Sequence, residues 1–172
     1  APFTVIGSLL PEEAVLGYDT NAKMNPPLRT EEDRQAIRQG LADGTFDAIA
    51  TDHAPHSSLE KELEFDLAAN GIIGLETAVP LTLALVRDGV IDARRFVELL
   101  SVNPAAILGV PGGTLVAGAP ADLTLIDPAL SFVYTVESVV SKSRNSPFLG
   151  WNLEGRAVKT LVGGRLMFDL KQ

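Results

Sequence analysis

The sequence predicts an α/β fold followed by a short all-β segment, and three observations carry that reading. Over the first 110 or so residues, helical patterns alternate with a short apolar run of strand length, the signature of a parallel strand framed by helices. That run, FDAIAT (46–51), ends directly at Asp52, the place where open sheets and barrels put functional groups. Beyond Pro111-Gly112-Gly113 the character changes to short β runs separated by turns.

The elements follow in order. Residues 20–29, TNAKMNPPLR, form a loop, because Pro26-Pro27 cannot continue a helix or a central strand. Thr30 with Glu31, Glu32 and Asp33 reads as an N-cap followed by acids in the first turn. Ile37 and Leu41 share one face of that helix, and Gly40 and Gly44 bring it to a stop. After the strand, 61–69 is predicted as a short helix with Asn70-Gly71 as its stop signal. TAVPLTLALVR (77–87) is an apolar helix with Pro80 tolerable in its first turn. Asp92 caps a helix carrying Phe96, Val97 and Leu100, and Asn103-Pro104 starts another. The β runs are ADLTLID (121–127), FVYTVE (132–137) and GRAVKTLVGGRLMF (155–168), with Gly163-Gly164 as a hairpin signal. The chain therefore divides into an α/β part, 1–110, and a β part, 111–172. A β segment of ~60 residues is small for an independent core, so it packs on the first part or on strands outside this sequence.

Composition narrows the function classes. Of 172 residues, 46% are hydrophobic and 21% charged, as in globular proteins. No apolar run approaches the ~18 residues of a membrane helix, and APFTVIGSLLPEE lacks the basic start of a signal peptide. The net charge of −8, with scattered basic residues, argues against nucleic acid or an anionic membrane as partner. The absence of cysteine removes disulfides and thiolate metal sites and is compatible with a reducing cytoplasm. An apolar start without Met points to a piece of something longer.

Both histidines fall in one stretch, Thr51-Asp52-His53-Ala54-Pro55-His56. A carboxylate at a strand end can ligate a metal, act as a general base, or do both in turn. Equally, Asp52 can cap a local turn with His53 and His56 as satisfied polar residues, since D-H-x-x-H alone is a weak pattern. The spacing falls short of HExxH, and Pro55 argues against a continuous helix through the motif; a catalytic zinc takes three protein ligands, which this stretch with scattered carboxylates supplies meagrely. Asn25 offers an amide donor and acceptor suited to a carboxylate- and amide-bearing substrate, or simply forms a turn before two prolines. In AANGIIGLET, glycines let backbone groups approach a ligand, or Asn70-Gly71 is an ordinary helix terminus.

Taken together, LGYDTNAKMNPPLRT, DGTFDAIATDHAPH, EK…F…GIIGLETAVPL, SVNPAAILG, GTLVAGAPADLTLID and SKSRNSPFLGWNLEGRAVKTLVGGRLMF resemble dihydroorotase, the type I branch of the cyclic amidohydrolases, in order and spacing over roughly residues 11–170. The resemblance implies the C-terminal part of a metal-dependent-hydrolase TIM barrel beside a small composite β-sandwich. It implies zinc, binuclear in the family, and reversible cyclisation of N-carbamoyl-L-aspartate to L-dihydroorotate in pyrimidine biosynthesis. It makes Asp52 a metal ligand and proton shuttle and His56 the group that binds the substrate carboxylate. Asn25 becomes a substrate contact, and Ala69-Asn70-Gly71 a loop that contacts substrate through its backbone, with Ala69 standing where the family has Pro.

The resemblance also implies ligands that this chain lacks: an H-x-H-x-R motif, a carboxylated lysine and two further histidines, all N-terminal to the aspartate. Where the family has T-P-H-H-L, this sequence reads Thr4-Val5-Ile6-Gly7-Ser8-Leu9. The expectation is a chain that supplies part of a site, with weak zinc binding and little activity alone, whose partners are the missing N-terminal half, a homo-oligomer or aspartate carbamoyltransferase. The alternatives are a non-catalytic dihydroorotase-like subunit scaffolding that transferase, or a hydantoinase or allantoinase relative.

Overall fold

A computed structural model describes residues 3–170; the outermost ends of both predicted parts, 1–2 and 171–172, lie outside the described residues. The α/β part begins with strand β1 (Phe3–Val5), which pairs parallel with β2 (Ala48–Ala50) in the register Phe3↔Ala48, Thr4↔Ile49, Val5↔Ala50. Between them runs α1 (Glu31–Asp43). Thr30 Oγ1 accepts the Asp33 N–H at 3.2 Å, three acids fill the first turn, and Gly44 ends the helix at φ 87°. Gly40 lies inside this helix and does not stop it. A Cβ there would come within 2.7 Å of the Phe46 ring, so the missing side chain lets Phe46 fold back under α1, with its N–H on the Gly40 carbonyl at 3.1 Å.

The predicted helix over 61–69 is displaced. Helix α2 is Ser58–Lys61, one turn long, because Ser57 and Glu60 form a capping box that starts it earlier. Residues 62–69 are turns instead. Helix α3 (Ala78–Arg87) follows, and Asp92 caps α4 (Ala93–Val97) by accepting the Arg95 N–H at 2.7 Å. The next helix is no separate element. A π turn over Glu98–Val102 carries the chain without interruption into α5 (Asn103–Leu108), and Pro104 is tolerated in the first turn. Two long-range side chains fix the approach to β2. Arg95 donates to the carbonyls of Leu41 and Phe46, and Asn103 donates to that of Asp47.

The β part is a three-stranded antiparallel sheet, β3 (Leu123–Val133), β4 (Asn152–Val162) and β5 (Arg165–Asp169), in that order. Two of the predicted runs are one strand, and the register shift between Asp127 and Ser131 absorbs Pro128. The end of the second run leaves the sheet as a 3₁₀ turn at Val136–Ser138. Gly163-Gly164 form the β4–β5 turn with positive φ. Gly155 of β4 lies directly against Leu83 of α3, and Arg87 donates to the Glu154 carbonyl. Two apolar clusters result. One, built on Ile6, Leu41, Ile49, Leu85 and Leu99, lies under the helices. The other joins Ile72 and Ile73 to Tyr134, Phe148 and Leu153 of the β part. Among the described residues no helix is long and apolar enough to cross a membrane.

Candidate functional site

β2 stops at Ala50, and the chain leaves it through Thr51 into the loop that carries Asp52, His53 and His56. Asp52 is exposed and sits at φ 45°, in the left-handed region, a conformation that costs a non-glycine residue stability and recurs at functional loops. Among the described residues no hydrogen bond ties down its carboxylate. His53, which the sequence offers as a satisfied polar residue, is a structural anchor. It forms a parallel bridge with Ile72, and its Nδ1 accepts the N–H groups of Gly74 and Leu75 at 3.1 and 3.4 Å, which puts the ring proton of the neutral form on Nε2.

The segment 71–74 lies along the 51–56 loop at backbone distance. A Cβ on Gly74 would stand 2.7 Å from the Thr51 carbonyl oxygen, and one on Gly71 would stand 2.6 Å from Ala54 Cβ. Only glycine fits these approaches, and Gly71 also adopts φ 120°. His56 faces the same place. Its Nδ1 is 3.5 Å from Glu60 Oε1, while its Nε2 is on the Gly71 side, 3.4 Å from where a Cβ of Gly71 would be. Glu60 is itself fixed, accepting the Ser57 N–H and hydroxyl at 2.8 and 2.7 Å. Those bonds to Ser57, with His56 adding to them, hold its carboxyl below the usual range.

Asn25 is exposed on the 23–25 segment. That segment is part of the same neighbourhood, because the Lys23 carbonyl accepts the Gly71 N–H at 2.9 Å and Met24 lies beside Gly7 and Ile72. The segments that carry the predicted site residues Asp52, His56, Asn25 and Ala69-Asn70-Gly71 thus lie side by side beyond the C-terminal end of β2. The three loop residues differ in what they offer. Ala69 has its N–H on the Glu60 carbonyl and its own carbonyl on Lys61. Gly71 is likewise engaged at both N–H and C=O. Among the described residues, the exposed Asn70 alone of the three has an N–H without a partner.

Two residues that sequence reasoning passed over hold this arrangement. Lys61 is 4% exposed, with Nζ 2.7 Å from the Ala69 carbonyl and 3.2 Å from that of Gly71. Burial pushes its pKa down, and the nearby Lys23 pushes the same way. Asn145 is 3% exposed. Its Nδ2 donates to the carbonyls of Ala54 and Gly71 at 2.8 and 3.1 Å, its Oδ1 accepts the His56 N–H at 3.1 Å, and its carbonyl accepts the Ile73 N–H at 2.9 Å. A readable signal existed for one boundary: Ser57-x-x-Glu60 is a capping-box pattern.

The donor set does not by itself fit a metal. Among the described residues no three His, Cys, Asp or Glu side chains gather closely enough to hold one. Asp52 stands as a single exposed carboxylate, and both imidazoles have partners of their own at Nδ1.

Residues 16–167 match the model of the amidohydrolase family. The chain is 62% identical over 155 residues to a dihydroorotase from Desulfotalea psychrophila, covering 90% of this chain and 37% of that protein. It is 57% identical over 160 residues to one from Geobacter sp. strain M21, covering 93% and 38%. The chain thus spans well under half the length of these curated relatives. Among solved structures, an L-hydantoinase from Arthrobacter aurescens superposes with TM-score 0.92 at 28% identity, over 99% of this chain and 39% of that one. A dihydropyrimidinase from Brevibacillus agri gives 0.86 at 26%, over 99% and 39%. These likenesses bear out the expected α/β amidohydrolase class, part of a barrel with a β segment attached, and the family is generally metal-dependent, with zinc typical. An exposed carboxylate at a strand end, with glycine-permitted backbone packed beside it, sits in a chain that belongs to the amidohydrolase family.

Proposed function

We propose that this chain supplies the substrate-facing part of a dihydroorotase, which interconverts N-carbamoyl-L-aspartate and L-dihydroorotate. The observation that supports the reading most is that the segments carrying Asn25, Asp52, His56 and the 69–71 loop pack side by side beyond β2, in a chain more than half identical to dihydroorotases over nine-tenths of its length. In this reading residues 1–110 are part of the catalytic barrel and residues 111–172 a composite β-sandwich segment. His56 pairs with the substrate carboxylate, and Glu60, 3.5 Å from its Nδ1, orients the ring. Asn25 and the Asn70 N–H satisfy amide and carboxylate oxygens. Asp52, an unconstrained carboxylate, takes a proton from the water that attacks the amide carbonyl and delivers it to the ring nitrogen as the C–N bond breaks; on closure it takes the proton from that nitrogen and returns it to the departing water.

Zinc is the expected metal, with Asp52 as one of its ligands. The remaining donors have to come from chain beyond these residues, since the described ones form no three-donor set. The substrate is a small anionic molecule, and a homo-oligomer or aspartate carbamoyltransferase is the expected protein partner.

The test is turnover of dihydroorotate, hydantoin and allantoin by the full-length protein that carries this segment. Turnover of dihydroorotate above the other two is the expected result. Activity on hydantoin alone would sink the assignment, and no turnover of any of them would favour a non-catalytic subunit.

A further inference from the structure

Lys61 poses a problem that stability alone does not explain. A lysine 4% exposed gives up most of its hydration, and among the described residues no carboxylate lies within 4 Å of it. Its ammonium faces main-chain carbonyls instead, those of Ala69 and Gly71. A buried cation so held is a weak source of net stability, and an apolar side chain of equal length would fill the space without the desolvation cost.

The carbonyls it selects matter. The C=O of Ala69 belongs to the same peptide group as the N–H of Asn70. A cation 2.7 Å from that oxygen polarises the group and makes the N–H a stronger donor. Asn145 takes the other side of the Gly71 carbonyl at 3.1 Å and ties it to Ala54 and His56. Lys23 holds the preceding turn through the carbonyls of Asp66 and Ala68.

We propose that Lys61 and Asn145 are positioning residues for the substrate loop, fixing the carbonyls of Ala69 and Gly71 against the His56 segment so that the Asn70 N–H remains as a polarised donor for an anionic substrate oxygen. This rests on the dihydroorotase reading. Neither residue touches the reacting atoms, and each acts through Asn70 and His56.

The experiment uses the full-length protein with Lys61→Met, which keeps the stem and removes the donors, and Asn145→Ala. Two readouts are taken: amide hydrogen exchange over residues 69–73, and KM against kcat for dihydroorotate. Exchange there is expected to speed up about tenfold and KM to rise about tenfold, with kcat within about threefold of the parent, as loss of one or two charge-assisted bonds dictates. Unchanged exchange, or a fall in kcat with KM unchanged, would overturn the proposal. So would loss of the cooperative thermal transition in both variants, which would make the two residues general supports of the fold. If the unaltered protein turns over no dihydroorotate, the functional reading fails separately, while the exchange readout still decides whether the pair holds the loop.

Discussion

The imidazole Nε2 of His56 lies 3.4 Å from the position that a Cβ on Gly71 would occupy. The two residues are fifteen positions apart in sequence, and the space between ring and backbone exists because Gly71 has no side chain. Gly71→Ala would also meet Ala54 Cβ at 2.6 Å and force an L-residue to φ 120°. A loss of roughly 2–4 kcal/mol is expected from strain and overpacking, read as a lower urea midpoint. In the full-length protein KM should rise with it.

Thr30 caps α1 through the Asp33 N–H. Thr30→Ala should cost about 1 kcal/mol, and Thr30→Asp should recover most of it. Chemical denaturation of the two variants side by side checks both directions.

Acid should loosen the same helix end. Glu31 bonds Arg34 and Gln35, and chiefly through Arg34 its carboxyl is pulled down from 4.5 to about 2. A depressed carboxyl contributes stability that is complete above its ordinary value near 4.5 and is lost as pH falls toward about 2. Carbon-detected titration of Glu31 should give a midpoint well below 4.5, and Arg34→Ala should return it toward that value.

Metal content provides a fourth test. The 172 residues alone should retain less than one zinc per chain after dialysis, because a catalytic zinc takes about three protein ligands and no three donors gather among the described residues. Stoichiometric, tightly held zinc would contradict this.

What the sequence revealed and what it concealed follow one physical distinction. Asp52, His56 and Gly71 could be put forward from the sequence because their chemistry is intrinsic to the side chain, or to its absence, and because the segments that carry them resemble a known family in order and spacing. Lys61 and Asn145 were not, because their partners are main-chain carbonyls and N–H groups, with bonds from Asn145 reaching 74 to 91 residues along the chain. No spacing rule announces a side chain whose partner is backbone. The displaced helix α2 is a different case: the local pattern Ser57-x-x-Glu60 marks its start, whereas Asn70-Gly71 ends no helix. Pro128 separated two β runs on paper, whereas a bulge keeps them as the single strand β3. The convergence of Asn25 with the 71–74 segment depends on the Lys23 carbonyl taking the Gly71 N–H, a pairing that only the folded chain reveals.

The bond between Asn145 and Gly71 also has a meaning in time. The loop that carries His56 and Asn70 cannot be locked until a residue 74 positions later has been made. At roughly 5–20 residues per second, that is a wait of about 4–15 s during synthesis. Through that interval the glycine-bearing backbone stays open, and the apolar pair Ile72-Ile73 awaits Tyr134, Phe148 and Leu153. This end of the molecule therefore matures late on the ribosome, and a chain cut short before Asn145 would carry every side chain proposed to face substrate without the residue that ties Gly71 to the His56 segment.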